Sequence, residues 1–360
     1  MRIAQVAPPL ESVPPRGYGG TERVIATLTE ELVRRGHHVT LFAAGDSRTS
    51  ADLVPTVERA LWHSRRDYPD FAPFWAITLG EVWRRLDDFD IVHAHLDFFG
   101  FPLARASTRP VVTTLHGRLD LPQLEPLFVH FADVPLVSIS NAQRAPVPYA
   151  NWVATIYHGI ELDQYTFSPR SGQYLAFLGR ISPDKGVDVA IRVARRAGLP
   201  LRIAARRPLP FKNDPEARKD WDYFDHVLQP LLDDAHVELV GEVGGKRKDA
   251  FLRHAAALLF PIQWPEPFGL VMAEALACGT PVVALRAGSV PEVLEDGLTG
   301  YIRETEAELV EAVNRIDELD RARCRAEAER RFSPSAMAEA YEQVYAALVA
   351  GERVRAPAPG

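Results

Sequence analysis

The stretch 257–300, ALLFPIQWPEPFGLVMAEALACGTPVVALRAGSVPEVLEDGLTG, constrains this chain more than any other part of it. ALLFP is a short apolar run of the kind that lies buried in a parallel sheet. The loop IQWPEP follows and carries Glu266. From Phe268 to Leu276 apolar residues recur at helical spacing, and Gly279 stands where such a helix would end. PVVAL then reads as a second buried strand. The segment is strand, loop, helix, strand, with a carboxylate at the helix start and another, Glu274, inside it.

That layout suits a particular ligand chemistry. A helix start offers free backbone N–H groups and the positive end of a dipole, which fit a phosphate. Gly269 removes a side chain where the backbone would approach such a group. Carboxylates only accept hydrogen bonds, so Glu266 suits hydroxyls on one side of a diphosphate and Glu274 a ribose on the other. Taken alone, Glu266 also fits simple compensation of the helix dipole, worth roughly 0.3–1 kcal/mol.

The alternation extends over the whole chain. RIAQVAP (2–8), a helix from about Thr21 to Arg35 and HHVTLFAA (37–44) open it, with strands at 90–95, 111–117, 136–141 and 154–159. Residues 45–75 lack periodicity but gather Trp62, His63, Arg65, Arg66, Tyr68, Phe71, Phe74 and Trp75, either a surface cluster or flat rings of the kind that stack on sugar faces. ELDQYTFSPRSGQ (161–173) reads as a linker. A second series follows, with strands at 174–179, 201–205 and 237–241 ahead of ALLFP and PVVAL, and helices at about 187–197, 219–233, 246–256 and 268–278. Two alternating runs predict an α/β protein of two doubly wound domains with a cleft between their strand ends, and 360 residues suffice for two cores.

Each turn carries its own question. GYGGTE (17–22) puts Gly19 and Gly20 at a helix start, as an anion site or a plain turn; it lacks the spacing of a dinucleotide fingerprint. In GRISPDKG (179–186), Arg180 can grip a diphosphate bidentately and Lys185 can add a point charge, although alone they could equally be a solvated arginine and a turn cap. Asp88 and Asp90 form a literal D-x-D, yet they end a helix and begin a strand, which favours termination over metal binding. Arg206, Arg207, Lys212 and Lys219 crowd an insertion that either adds ligand contacts or is a solvated loop, the loop being favoured.

Bulk properties narrow the class. A formal charge of -7 argues against a general nucleic-acid binder. No apolar run reaches the ~18–20 residues of a membrane span, and MRIAQVAPP reads as a strand and not a secretion signal. Cys278 and Cys324 allow neither a disulfide framework nor a cysteine metal cluster. A soluble, cytoplasmic enzyme without membrane insertion is expected.

The string E-P-F-G-L-V-M-A-E followed by A-C-G-T-P-V-V-A resembles the E-x7-E motif of glycosyltransferase family 4, the retaining GT-B nucleotide-sugar transferases, and the resemblance runs through nearly the whole chain. It implies a Rossmann-like acceptor-binding domain over 1–165, a nucleotide-sugar-binding domain over 170–333, and a C-terminal helix, 334–350, crossing back to the first. The implied reaction is retaining transfer of a sugar from a nucleoside diphosphate sugar to a hydroxyl of a sugar, lipid or small-molecule acceptor. It proceeds by front-face attack, without metal or other cofactor. The resemblance gives Arg180 and Lys185 the diphosphate, helped by the N–H groups of Phe268, Gly269 and Leu270. Glu266 takes the donor sugar, Glu274 the ribose, and His116 lies against the sugar. Gly19 and Gly20 match the glycine loop near diphosphate and acceptor, and Glu242 with Val243 the stretch that holds the base through backbone groups. His158 stands where the family turn has Asn, and IAARR replaces a glycine-rich turn. A nucleotide-sugar epimerase or a non-catalytic nucleotide-sugar sensor on the same scaffold are the alternatives. The first would need acid–base groups that the sequence does not show.

Overall fold

The computed structural model describes residues 1–17, 19–64, 68, 70–208, 215–232, 236–352 and 355–356. Arg65, Arg66 and Lys212 lie outside them. The chain divides into two compact units, Met1–Ile160 with Pro334–Gly360, and Glu161–Ser333.

The first unit is built on a parallel sheet of seven strands: β1 (Arg2–Val6), β2 (His38–Ala44), β3 (Asp52–Val57), β4 (Ile91–Ala94), β5 (Val111–Thr114), β6 (Leu136–Ser138) and β7 (Trp152–Thr155). Their order is β3-β2-β1-β4-β5-β6-β7, so Ile3 of β1 faces Val39 on one side and Ile91 on the other. The direction of winding reverses between β1 and β4, and ligands of such sheets bind beyond the strand ends at that point. Helix Gly20–Arg34 buries Val24, Ile25, Leu28 and Leu32. The last helix, Pro334–Val349, belongs to this unit and buries Met337, Tyr341, Val344 and Tyr345. Its Glu342 accepts from Arg35 at 2.6 Å and lies 2.7 Å from His37, and the Arg35 hydrogen bond holds that carboxyl down at about 2.

The second unit holds six parallel strands: β8 (Leu175–Arg180), β9 (Leu201–Arg206), β10 (Val237–Leu239), β11 (Ala257–Phe260), β12 (Val282–Leu285) and β13 (Gly300–Arg303), in the order β10-β9-β8-β11-β12-β13. Here the reversal lies between β8 and β11. Helix Val187–Ala197 places Val187, Ala190, Ile191, Val193 and Ala194 on the sheet and ends at Gly198, whose φ of 69° is left-handed.

Several boundaries differ from expectation. β7 starts at Trp152 and ends at Thr155, so Tyr157, His158 and Gly159 leave the ladder; the pairing has already shifted register at Leu136/Val137. β3 and β13 are added at sheet edges, where Pro55 is tolerated because an edge strand has one unpaired side. The helix expected over 219–233 begins at Pro215 and is α-helical to Tyr223. It widens over Phe224–Leu228 and tightens over Gln229–Leu231, since Pro230 supplies no N–H for another α turn. Helix Glu306–Val313 starts on a capping box of Thr305 and Glu308.

Asp90 accepts from the backbone N–H of Arg2 at 2.8 Å and from its guanidinium, while Asp88 pairs with Arg85 at 3.2 Å. Cys278 and Cys324 are free and buried, and burial pushes both thiols up to about 12. Among the described residues no helix is long and apolar enough to cross a membrane.

Candidate active site

In the second unit the predicted residues collect at the strand ends that flank the reversal. Arg180 is the last residue of β8, and the turn Pro183–Lys185 follows it. Gly186 closes that turn with φ 69°, and a Cβ there would lie 2.2 Å from Pro261 O. Only glycine therefore lets the loop after β8 press against the loop after β11. The Asp184 carbonyl accepts from Gln263 N at 2.8 Å and ties the two loops together.

Across this contact the Lys185 ammonium donates to Glu266 Oε2. Trp264 Nε1 donates to the same oxygen at 3.2 Å, and its ring centroid lies 5.2 Å from Lys185 Nζ. Both charged side chains are mostly buried, at 15% and 13% exposure. Arg180 is more open and pairs with Asp184 at 3.6 Å. The Glu266 backbone is pinned from behind: its carbonyl accepts from Ser289 N at 2.9 Å, and Gly288, at φ 52°, would place a Cβ 2.4 Å from Glu266 N.

Three residues on, Gly269 (φ 75°) starts helix Leu270–Ala277 without a side-chain cap. A Cβ there would meet Met272 Cε at 2.7 Å and Phe260 Cζ at 3.2 Å, so the backbone lies against the core where its N–H groups begin the helix. Phe268 is buried, and its carbonyl accepts from Ser289 Oγ at 2.9 Å. Inside the helix, buried Glu274 accepts from Lys248 Nζ at 2.6 Å. Lys248 was not foreseen. It lies on Gly245–Arg253 among other cations, and only folding selects the one that turns inward. Glu242 is exposed and Val243 half-buried in the loop after β10, beside Gly241 with φ 76°.

In the first unit, Gly19 caps helix Gly20–Arg34 and packs under Pro15, where a Cβ would approach to 2.7 Å. Glu22, in the first turn, is buried; desolvation, with the charge of Glu11 adding to it, pushes its carboxyl up to about 7. His116 follows β5. Gln143 clamps its backbone, donating to the carbonyls of Leu115 and Gly117 at 2.8 Å each. Its ring stacks on His158 at 5.2 Å and lies 2.9 Å from His95 Nδ1 through Nε2. The residue keeps a partly exposed edge, yet enclosure of the ring pushes His116 down to about 3, so the imidazole is neutral. Of the aromatic segment, Tyr68 meets Phe74 edge-on at 5.0 Å and Trp75 stacks on Phe99 at 4.7 Å.

The chemistry these residues offer is charge stabilisation and hydroxyl binding. Three cations, an uncapped helix start and two carboxylates stand in the second unit; neutral imidazoles stand in the first.

Known proteins carry the same two halves. Residues 18–164 match the family profile Glycosyltransferase Family 4, and 161–332 match Glycosyl transferases group 1. The D-inositol 3-phosphate glycosyltransferase of Mycolicibacterium smegmatis is 25% identical over 95% of this chain and 89% of its own length. The phosphatidyl-myo-inositol mannosyltransferase of the same organism is 28% identical over 84% of this chain and 80% of its own. Among solved structures, AviGT4, a glycosyltransferase involved in avilamycin A biosynthesis, superposes with a TM-score of 0.74 at 25% identity, covering 97% of this chain and 98% of that one. Anabaena HepE in complex with UDP and glucose gives 0.71 at 19% identity, over 96% and 100%. The chain belongs to glycosyltransferase family 4, the glycosyl transferases group 1, and is a glycosyltransferase of GT-B fold.

Proposed function

We propose that this enzyme transfers a sugar from a nucleoside diphosphate sugar to an acceptor hydroxyl with retention of anomeric configuration and without a metal. The carrying observation is the Lys185–Glu266 pair, bridged by Trp264 and set beside the uncapped helix start at Gly269. As the glycosidic bond to the diphosphate breaks, negative charge grows on the leaving oxygens. Lys185, Arg180 and the N–H groups from Phe268 to Leu270 oppose that charge. Charge-assisted hydrogen bonds contribute roughly 1.5–3 kcal/mol each, so two cations supply what a metal would.

Glu266 has lone pairs left beyond its two donors and takes hydroxyls of the donor sugar. Glu274, its charge matched by Lys248, takes the ribose. Neither carboxylate is assigned as a nucleophile. The acceptor attacks from the face the diphosphate leaves, and a diphosphate oxygen receives its proton, so positioning and charge stabilisation carry the rate. In the first unit, Gly19, Gly20 and the neutral ring of His116 meet substrate groups. Glu242 and Val243 are assigned to the base, through backbone groups. HepE has been seen with UDP-glucose, which supports a diphosphate donor here.

The test is thermal unfolding against UDP-, GDP- and ADP-sugars, each with and without chelator. A ligand at about 100 times its Kd stabilises by ~2.7 kcal/mol, which raises the midpoint by several degrees. The expected result is a shift with one base, unchanged by chelator, and a product whose anomeric proton keeps the donor's configuration. No shift with any donor, or activity lost in chelator and restored by a divalent ion, would overturn the reading.

A further inference from the structure

Strands β1, β4 and β5 bring into the interior of the first unit a set of polar side chains that the proposed reaction does not use. Gln5 and His93 are fully buried and His95 is 2% exposed. Polar groups in such places must find partners. Here they form one connected path. His116 Nε2 lies 2.9 Å from His95 Nδ1, and His95 Nε2 lies 2.9 Å from Gln5 Oε1. The Gln5 amide nitrogen donates to the Tyr345 hydroxyl at 3.1 Å. That hydroxyl lies 2.6 Å from His93 Nδ1, and His93 Nε2 lies 2.7 Å from Thr114 Oγ1.

The path has a direction. An amide oxygen only accepts, so His95 carries its proton on Nε2. A neutral imidazole has one N–H, which makes His95 Nδ1 an acceptor. The contact with His116 is then a hydrogen bond only if His116 donates from Nε2. Its Nδ1 is left with a bare lone pair, and among the described residues nothing pairs with that enclosed atom. The neutral state has its own support, since burial lowers the basicity of His93, His95 and His116 alike. On the far side of Gln5 the roles agree: the Tyr345 hydroxyl accepts from the amide and donates to His93 Nδ1, leaving His93 Nε2–H for Thr114. Turning the Gln5 amide over would reverse each donor and put the His116 proton on Nδ1.

We propose that His95, oriented by Gln5, is a positioning residue that fixes His116 as its Nε2-protonated tautomer, so that Nδ1 is the acceptor offered to a substrate hydroxyl. This rests on the assignment of His116 to the substrate site. Two devices then act on one residue: Gln143 sets where the ring stands, and His95 sets which nitrogen holds the proton. His116 recognises a hydroxyl hydrogen and not an oxygen.

The experiment uses the full chain with ¹⁵N-labelled histidine, and two-bond spectra that separate protonated from bare ring nitrogens. His116→Asn assigns the signals. The expected wild-type pattern is a protonated Nε2 and a bare Nδ1. His95→Phe keeps a ring but removes the acceptor, so His116 becomes a mixture of tautomers and kcat falls about tenfold, the kinetic counterpart of one hydrogen bond, while Tm drops by a few degrees because buried Gln5 Oε1 loses its donor. His95→Gln, which can both donate and accept, restores the tautomer and most of the rate. A wild-type proton on Nδ1, or an unchanged tautomer in His95→Phe, would overturn the proposal. Wild-type turnover of His116→Asn would instead remove His116 from the substrate site and leave the tautomer result standing.

Discussion

The strand ends of the two sheets solve the same problem with opposite chemistry. In the second unit two ion pairs stand there, Lys185 with Glu266 and Lys248 with Glu274. In the first unit a connected network of neutral imidazoles, an amide and hydroxyls is strung from His116 to Tyr345. Ion pairs cost desolvation energy and stay responsive, because an incoming anion can compete with the carboxylate for the cation. A neutral network costs less to bury and has no such competitor, so it holds geometry. The difference fits a division of labour in which one unit answers the arrival of a charged group and the other presents a fixed edge.

The comparison breaks most visibly at Lys248. Lys248→Met takes the cation from a buried carboxylate and is expected to destabilise by about 3 kcal/mol, read from the urea midpoint. Adding Glu274→Gln should recover most of that loss. A single variant as stable as wild type would mean that the pair is solvated. Next comes Lys185→Ala, for which kcat should drop roughly 10²–10³-fold while the fold survives, because Trp264 still donates to Glu266. Wild-type turnover there would show that the charged half does not serve the leaving group.

The third prediction sharpens the neutral half. Glu22 ionises at about 7 in the folded chain against 4.5 for the free group, so the folded state binds its proton more tightly. Its stabilising contribution is complete below pH 4.5 and is lost as pH rises through about 7, a loss of about 3 kcal/mol. Glu22→Gln should therefore gain on wild type in denaturation midpoint as the pH is raised from 5 to 8. A constant difference would place the carboxyl in water.

Much of this architecture was legible because buried parallel strands write themselves as unbroken apolar runs, as ALLFP and PVVAL do. Edge strands do not: Asp52–Val57 contains Pro55 and polar residues, and Gly300–Arg303 is short, so neither carried a signal. At the site, Arg180, Lys185, Glu266 and Gly269 stood out because turn, charge and glycine coincide within a few residues. Lys248 could not be singled out from GKRKDAFLR, where the inward cation depends on how the helix is rotated against Leu270–Ala277. Gln5 and His95 did leave a trace. A glutamine inside RIAQV and two histidines in IVHAH are polar residues in buried strands, which demand partners, but the hydroxyl that joins Gln5 to His93 comes from Tyr345, far away in sequence.

That last distance bears on how the molecule is made. Gln5 and His93 leave the ribosome early, while the tyrosine that satisfies both leaves after every strand of the second unit. Domains generally fold as they emerge, so the second unit can complete itself while the first still waits with buried polar atoms unanswered. Translation that stops short of Tyr341 yields a first unit with a hole in its hydrogen bonding, a product that quality control can recognise and remove before it meets a substrate.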